Sequence, residues 1–210
     1  MPEETKRKPG HHHGDLRRAL VEATIALIES EGPERVSVRN AARVAGVSPG
    51  APFRHFPTRA ALMTAVAEEG MRRFRAEIEA ELTRVTSPDP LDHLLATGRA
   101  YLNWVIRNPT HFRVISTRQW IDFDGSPVLT SLNAEIVGMM RQWLSAARDQ
   151  GGLRDPDIAR TALSCRAMVY GLARMYVDGH FPQYAIAPHE IEREMRIAVE
   201  RFLDGLRAPS

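Results

Sequence analysis

The sequence has only one cysteine, Cys165, among its 210 residues. One cysteine cannot form a disulfide bond within the chain, and its scarcity fits a reducing cytoplasm. No apolar run approaches the ~18 residues that a membrane-spanning helix requires. The first 15 residues, MPEETKRKPGHHHGD, also lack the apolar core of a secretory signal. We therefore expect a cytoplasmic protein without a membrane partner.

Lysine is nearly absent, because Lys6 and Lys8 are the only lysines and the other 26 of the 28 basic residues are arginine. The net charge of +2 is too small to identify a class of partner. Its distribution is more informative: the first 60 residues hold ten basic and seven acidic side chains, and the remaining 150 hold 18 and 19. A mildly basic N-terminal part permits a polyanionic partner such as nucleic acid.

The sequence also lacks the residue combinations that identify enzymes and metal proteins. No nucleophile, base and acid stand in a recognisable catalytic pattern. Residues 11–13 are adjacent histidines that could be a metal ligand set or the remnant of a tag, but three neighbours cannot face one ion from a regular element. Cys165 is interpreted as a small buried residue rather than a redox switch. We expect no catalytic residue, no metal and no cofactor, and interpret residues 1–14 as a mobile tail.

What the sequence has instead is helical periodicity along most of its length. Apolar side chains recur at i, i+3 and i+4 from Asp15 to Glu31, where Gly32 and Pro33 mark a helix end. No segment shows the alternation of a strand, so the sequence predicts an all-α fold. The predicted helices lie at about 15–31, 37–45, 58–85, 91–107, 110–117, 127–149, 156–178 and 189–206, with one more short helix after Gly46.

Residues 46–50, GVSPG, fit two incompatible patterns. The pattern G-x-S-x-G marks the nucleophilic serine of many hydrolases, which sits on a turn between a strand and a helix. Here the residues before Ser48 are helical in pattern. In addition, Pro49 has no N–H, although the residue after the nucleophile must donate one to the oxyanion hole. Since that donor is typically worth roughly 3 kcal/mol, the hydrolase interpretation is rejected.

The other interpretation is the turn of a helix-turn-helix motif. Gly46 can adopt the left-handed conformation that ends a helix, and Val47 can pack the two helices together. Ser48 can cap the next helix, with Pro49 at its first position, where no N–H is needed. The sequence therefore predicts a helix of about two turns that ends before Pro57 and is held by its neighbours.

Such a short helix at a tight turn can enter the major groove of DNA. Small residues allow close approach to the bases, an apolar ring can contact a thymine methyl, and basic side chains can donate to base edges or phosphates. A structural hairpin with a solvated charged face would explain each residue singly, but not their combination. The predicted DNA contacts are Gly50, Ala51, Phe53, Arg54 and His55 on the helix, Arg39 and Arg59 beside it, and the N–H groups of the helix starts at Ser37, Ser48 and Thr58.

The segment 11–63, above all GVSPGAPFRHF followed by PTRAAL, resembles the DNA-binding domain of the tetracycline-repressor (TetR) family of bacterial transcription regulators. The resemblance implies three N-terminal helices, the third being the recognition helix, and by position it adds Pro49 to the DNA contacts. Phe53 replaces the usual Tyr, so a phosphate-contacting hydroxyl is lost, and Arg59 replaces the usual Lys. We therefore predict a helix-turn-helix DNA-binding domain at 15–58 and a larger helical ligand-binding and dimerisation domain at 59–210.

The second predicted domain is rich in large apolar side chains. For any single one of them, a place in the ordinary core is the simpler interpretation. Some are expected to line a cavity between helices, the usual site of a small apolar ligand in a helical domain. One subgroup of the family commonly has a His-Gly pair where this chain has Tyr170-Gly171. Whatever role the histidine has in that subgroup is therefore not expected here. The candidate ligand-binding residues are Tyr101, Trp104, Phe112, Trp120, Phe123, Met139, Trp143, Met168 and Tyr170.

The last two predicted helices carry apolar stripes, and the resemblance implies that they pair with their copies in a homodimer. A dimer is also expected physically, because one short helix reads too few bases to be selective, whereas two copies read a palindrome with half-sites ~34–36 Å apart or a multiple of that. The sequence thus predicts a repressor that binds a double-stranded DNA operator and releases it on binding a small, mostly apolar effector. A DNA-binding regulator without an effector and a helical enzyme are the alternatives.

Overall fold

The computed structural model describes residues 13–209, with side chains from Leu16 onward. The chain forms eight α-helices and five short 3₁₀-helices within this range. No strand occurs among these residues, so the predicted all-α fold is confirmed. Residues 1–12 lie outside the described residues, as does the side chain of His13, and with them most of the predicted tail and its adjacent histidines.

The α-helices lie close to their predicted positions. Thr58 Oγ1 accepts the N–H of Ala61 at 3.1 Å, so Thr58 caps the longest helix at its predicted start. Helices α7 and α8 each begin two residues later than predicted, and α7 does so because Asp157 caps it by accepting the N–H of Arg160 at 3.0 Å. The helices are α1 His13–Glu31, α2 Val38–Val44, α3 Arg59–Leu82, α4 Pro90–Arg107, α5 Pro109–Ser116, α6 Pro127–Asp149, α7 Ile158–Val177 and α8 Ile191–Leu206.

The chain divides into two compact units. The first contains the described residues up to Val66 together with Gln119–Asp122, and the second contains Ala67–Arg118 and the described residues from Phe123 on. Helix α3 begins in the first unit and continues into the second. The domain boundary between residues 58 and 59 stays a prediction.

The first unit is built on α1, α2 and the beginning of α3. Helix α1 packs against α2, and Leu20, Ala41 and Leu62, one from each helix, are fully shielded from solvent. Thr24 is also fully buried, and its hydroxyl donates to the carbonyl oxygen of Leu20 at 2.7 Å. Because this buried hydroxyl has a partner, it adds no desolvation penalty to an otherwise apolar core.

The second unit is organised around α4, which packs against α5, α6, α7 and α8. Ten of its 18 residues are buried, as expected for a central helix. Its N-terminal end is fixed to the end of α8, because Arg207 forms ion pairs with Asp89 and Asp92. The helices around α4 also contribute to an aromatic-rich region, in which the ring centroids of Tyr101 and Trp104 lie 6.2 Å apart.

Candidate DNA-binding element and ligand pocket

Helix α2 is held at its N-terminal end by two side-chain hydrogen bonds. Ser37 Oγ accepts the N–H of Asn40 at 3.1 Å, so Ser37 caps α2 at its predicted start. Asn40 Nδ2 donates to the carbonyl oxygen of Arg35 at 2.8 Å. Arg39, on the first turn, is exposed and has no ion pair among residues 13–209. The start of α2 therefore presents an uncompensated guanidinium to solvent.

The turn after α2 has the predicted left-handed glycine. Gly46 has a φ of +68°, and the N–H of the next residue, Val47, donates to the carbonyl oxygen of Ala42 at 3.0 Å. These are the features of a glycine-terminated helix end. A side chain with a Cβ is disfavoured at this φ, so glycine sets the direction in which the chain leaves α2.

The segment after the turn is tighter than predicted. It forms a 3₁₀-helix over Ala51–Arg54, and the prediction of an α-helix of about two turns was wrong. The physical reason is Pro52, which has no N–H to donate to the carbonyl oxygen of Ser48 four residues earlier. Ala51 donates to that oxygen instead, at 3.2 Å, and this three-residue step defines a 3₁₀-helix. The predicted cap by Ser48 was also wrong, because the residue before this helix is Gly50 and no side chain caps it.

The short 3₁₀-helix exposes an aromatic and a basic residue on its outer side. Phe53 is 42% exposed, and Arg54 is exposed without an ion pair in the described part of the chain. Its inner side is buried through Pro52 and Phe56, and the Arg17 guanidinium lies 5.5 Å from the centre of the Phe56 ring. Of the other predicted contacts, Ser48, Pro49, Gly50 and Thr58 are exposed, and Ala51 and His55 are half-buried.

Arg59 has a structural role that the sequence did not indicate. Its Nη2 donates to the carbonyl oxygen of Pro33 at 2.9 Å, and its Nε donates to that of Val36 at 3.1 Å. Two of the five donors of this guanidinium are therefore used within the first unit. No local pattern reveals such a bond, because its partners lie more than 20 residues away in sequence.

The second unit contains a pocket of about 340 Å³ between α3, α4, α5, α6 and α7. Aromatic rings form much of its wall: Phe74 meets Tyr101 edge to face with centroids 5.1 Å apart, and Phe112 lies 5.9 Å from Tyr170. A cavity of about 60 Å³ shares Phe74, Tyr101, Ile136 and Arg166 with it. The two spaces together offer room for a small ligand with an apolar body.

The structure places only part of the predicted ligand-binding set at this pocket. Tyr101, Trp104, Phe112, Phe123 and Tyr170 border it. Trp143 instead lies against His93, with ring centroids 4.5 Å apart, beside the core of the unit. Trp120 belongs to the first unit, and the half-buried Met139 and Met168 do not border the pocket. Large apolar side chains fill cores and line cavities alike, so the sequence could not separate the two groups.

Sequence reasoning missed the polar residues of the pocket, which are Ser116, Arg118, Asn133 and Arg166. A signal was present for one of them. Arg166 stands four residues before Tyr170, so the two share one face of α7. A pattern of apolar residues alone does not identify this arginine. Its guanidinium carbon lies 5.9 Å from the centre of the Tyr170 ring and 5.5 Å from that of the Tyr101 ring.

Burial changes the acid–base behaviour of two residues that border these spaces. Desolvation raises the pKa of the Tyr101 phenol to about 12, although the nearby Arg166 opposes the shift. Desolvation likewise raises the pKa of the Cys165 thiol to about 11. Cys165 is 7% exposed, which confirms its predicted burial. Both groups are therefore neutral near neutral pH, and the thiol is a poor nucleophile.

Within residues 13–209, no group of three or more His, Cys, Asp or Glu side chains could hold a metal ion. No helix in that part of the chain combines the length and the apolar character needed to cross a bilayer.

The sequence matches two family models. The model described as "Bacterial regulatory proteins, tetR family" matches residues 20–66, and the model described as "Tetracyclin repressor-like, C-terminal domain" matches residues 94–202. A search of curated proteins gives no significant match. The two matched ranges cover the helix-turn-helix segment and most of the pocket residues.

Solved structures share the fold along almost the whole chain. A protein of unknown function from Rhodococcus sp. RHA1 is 25% identical, with a TM-score of 0.77 over 96% of this chain and 100% of that one. The TetR-family regulator PfmR from Thermus thermophilus is 20% identical, with a TM-score of 0.70 over 90% and 99%. A tetR-family regulatory protein from Rhodococcus RHA1 is 20% identical, with a TM-score of 0.68 over 90% and 93%.

Proposed function

Because the chain belongs to the tetracycline-repressor (TetR) family of DNA-binding transcription regulators, we propose that it is a repressor that binds a palindromic operator as a homodimer and releases it on binding a small effector. The observation that carries the DNA-binding part is the exposed pair Phe53 and Arg54 on a 3₁₀-helix whose inner side is buried. An exposed aromatic ring beside an uncompensated guanidinium does little for the fold. Both groups are common contacts of elements that enter the major groove.

The proposed contacts divide into base readers and phosphate binders. The base readers are Gly50, Ala51, Phe53, Arg54 and His55, in and beside the 3₁₀-helix. Arg39 and backbone N–H groups near Ser48 and at the helix starts at Ser37 and Thr58 bind phosphates on either side, and Pro49 contacts the DNA through its ring. Arg59 keeps three N–H donors beyond the two bonds described above, so it can hold the fold and contact a phosphate at once.

The proposed dimer interface lies on α7 and α8. The apolar stripe of α8 is not available for it, because Met195 and Val199 are buried inside the subunit. A different face of the two helices offers an apolar groove of about 250 Å³ beside the 61%-exposed Tyr184. A second copy would cover this groove, which is lined by Leu172, Met175, Ile197 and Ala198 among others.

The effector part of the proposal is supported by the pocket of about 340 Å³ in the second unit. Helix α3 supplies Met71 and Phe74 to that pocket, and its first residue is Arg59 at the DNA-binding unit. An effector can bind more tightly to a conformation in which the two recognition elements of the dimer are wrongly spaced for the operator. It then weakens operator binding by the same free energy by which the operator weakens effector binding, typically ~1–3 kcal/mol. Since bacterial operator DNA lies in the cytoplasm, we propose that the protein works there.

The experiment that tests the function is a selection of bound DNA from random sequence, followed by footprinting of the site found. We expect a palindrome whose half-sites are ~34–36 Å apart or a multiple of that, and affinity that falls steeply with salt concentration. Binding that never becomes sequence-selective, or protection of a single half-site by a monomer, would contradict the proposal. For variants of the proposed contact residues, Arg141→Ala is the matched control, because it also removes an exposed arginine but lies on α6 in the second unit.

A further inference from the structure

The pocket of the second unit carries positive charge without a negative charge to balance it. Its 15 bordering residues include Arg118 and Arg166 but no Asp or Glu. Neither arginine has an ion pair or hydrogen bond within the described residues. Each contacts aromatic rings instead: the guanidinium carbon of Arg118 lies 3.3 Å from the ring centre of Phe123, and that of Arg166 lies 5.5 Å from that of Tyr101. Stacking orients these groups and leaves their N–H donors unused.

Trp104 adds a further donor without an acceptor. The residue borders the pocket and is 2% exposed, and its indole N–H has no hydrogen-bond partner in the described part of the chain. A buried donor without a partner destabilises the folded protein, so it calls for an explanation. Tyr101 is a further donor, because a phenol keeps its proton at neutral pH and burial raises the pKa of this one to about 12. Several residues that border the pocket therefore carry donors that no acceptor in the described part of the chain uses.

We propose that the effector is a small organic acid, with an apolar body held by the aromatic wall and one carboxylate that accepts hydrogen bonds from Arg166, with Arg118 and Trp104 as further donors among the residues that border the pocket. This inference rests on the proposed function, because it names the chemical class of the effector. The pocket of about 340 Å³ is at the lower end of the ~300–1,000 Å³ range of ligand sites, so it suits a short acyl or phenylalkyl body.

Other classes of ligand fit the same pocket less well. An organic cation would be repelled by two guanidinium groups that have no acidic neighbour at the pocket. Arg118 and Arg166 are exposed, so a neutral ligand would leave their charge to the solvent and would gain no charge-assisted hydrogen bond from them. A carboxylate supplies both the charge and the acceptor oxygens, and its planar shape matches the fork of a guanidinium.

Two matched series of probes test the charge of the ligand: octanoate, octanol and octylamine, and phenylacetate, phenylethanol and phenylethylamine. Isothermal titration calorimetry with the full, delipidated chain at neutral pH measures the affinity of each. We expect at least one acid to bind with an affinity at least about tenfold above that of its alcohol and amine, the factor that one charge-assisted hydrogen bond supplies. Equal or tighter binding of an alcohol or amine, or no binding of any probe, would overturn the inference.

Variants then test which residues carry the preference. We expect Arg166→Gln to reduce the acid-to-alcohol affinity ratio by about tenfold. Trp104→Phe, which keeps an aromatic ring but removes the indole N–H, should reduce it by a smaller factor. Arg141→Gln should leave the ratio unchanged, because Arg141 is exposed and does not border the pocket. Circular dichroism of each variant shows whether it is folded. If Arg166→Gln and Arg141→Gln had the same acid-to-alcohol affinity ratio, the assignment of Arg166 as a donor to the carboxylate would be wrong.

Failure of this inference can be told apart from failure of the proposed function. Operator binding by the unliganded wild-type protein is measured in parallel and depends on the first unit. If the operator is bound but the acids show no preference, the class of effector is wrong and the regulator proposal stands. If an acid binds but no operator can be selected, the pocket assignment stands and the repressor proposal fails.

Discussion

The guanidinium of Arg59 donates a hydrogen bond from Nη2 to the carbonyl oxygen of Pro33 at 2.9 Å. Its Nε donates to the carbonyl oxygen of Val36 at 3.1 Å. One side chain thereby ties the first turn of α3 to the segment between α1 and α2. Because α2 and α3 flank the exposed 3₁₀-helix, these two bonds help to hold the position from which that helix is presented.

Replacing Arg59 should loosen the first unit. We expect Arg59→Ala to destabilise it by about 1–2 kcal/mol, because two carbonyl oxygens lose a charged donor. Arg59→Lys should recover only part of this, since an ammonium lacks the fork that serves both oxygens. Hydrogen exchange of the amides of α1 and α2 measures the effect, with Arg141→Ala as the control. If the amides of α1 and α2 exchanged as slowly in Arg59→Ala as in the wild type, the two hydrogen bonds of Arg59 would add nothing to stability.

Replacing the outer residues of the 3₁₀-helix should change DNA binding without changing stability. We expect Arg54→Ala to weaken operator binding by about 1–3 kcal/mol, the usual effect of losing one base-contacting arginine. Phe53→Tyr should strengthen it by about 1 kcal/mol, since it adds a hydroxyl donor for a phosphate. Fluorescence anisotropy with labelled operator measures both. If Arg54→Ala bound the operator as tightly as Arg141→Ala does, Arg54 would not be a DNA contact.

Two helical glycines should respond in opposite directions to the same substitution. A Cβ at Gly70 in α3 would lie 2.9 Å from the Cβ of His111 in α5, closer than real side chains approach. We therefore expect Gly70→Ala to destabilise the second unit by about 1–3 kcal/mol, in spite of the better helix propensity of alanine. A Cβ at Gly138 meets nothing within 4 Å, so Gly138→Ala should stabilise it by about 0.5–1 kcal/mol.

Urea unfolding of both variants, followed by circular dichroism, separates the two effects. If Gly70→Ala proved as stable as Gly138→Ala, the close approach of α3 and α5 would not be a constraint on the sequence.

The ion pair between Asp89 and Arg207 should make stability depend on pH in the acid range. Burial raises the pKa of Asp89, but hydrogen bonds from Arg207 and from the N–H of Leu91 lower it, and the net result lies below the ordinary 3.8. A carboxylate with a lowered pKa stabilises the folded state above its unfolded pKa, and this contribution is lost as pH falls through the folded value.

We therefore expect Arg207→Gln to be less stable than the wild type at neutral pH, with a difference that shrinks as pH falls below about 4. Thermal unfolding across a pH series measures this difference, and Arg141→Gln is the control. A difference that stayed constant down to strong acid would show that Arg207 acts through packing rather than through its charge.

A charge in the apolar groove of α7 and α8 should prevent dimerisation. Ile197 is half-buried and lines the groove, so Ile197→Glu would bury a carboxylate at the proposed interface. We expect the dissociation constant of the dimer to rise at least tenfold, a change of about 1.4 kcal/mol. Analytical ultracentrifugation measures it, with Arg196→Glu, an exposed neighbour on α8, as the control. If Ile197→Glu dimerised as the control does, the interface would lie elsewhere.

The DNA-binding element shows how far local patterns reach. The cap at Ser37 and the left-handed turn at Gly46 were readable because their signals act within a few residues. The 3₁₀-helix was misjudged although its cause is equally local. That cause is Pro52, which has no N–H, so the carbonyl oxygen of Ser48 accepts from Ala51 instead and the helix type changes.

The sequence by itself determined the all-α fold, the positions of the α-helices to within about three residues and the likeness to a family of regulators, because caps, prolines, glycines and apolar spacing act over short stretches of chain. Only the tertiary structure decided that Tyr101 and Trp104 border a pocket while Trp143 does not, and that Arg166 stands there without an acidic partner among residues 13–209. It also assigned Arg59 to two distant carbonyl oxygens. These relationships depend on which helix faces which, and that is settled by packing between residues far apart in the chain.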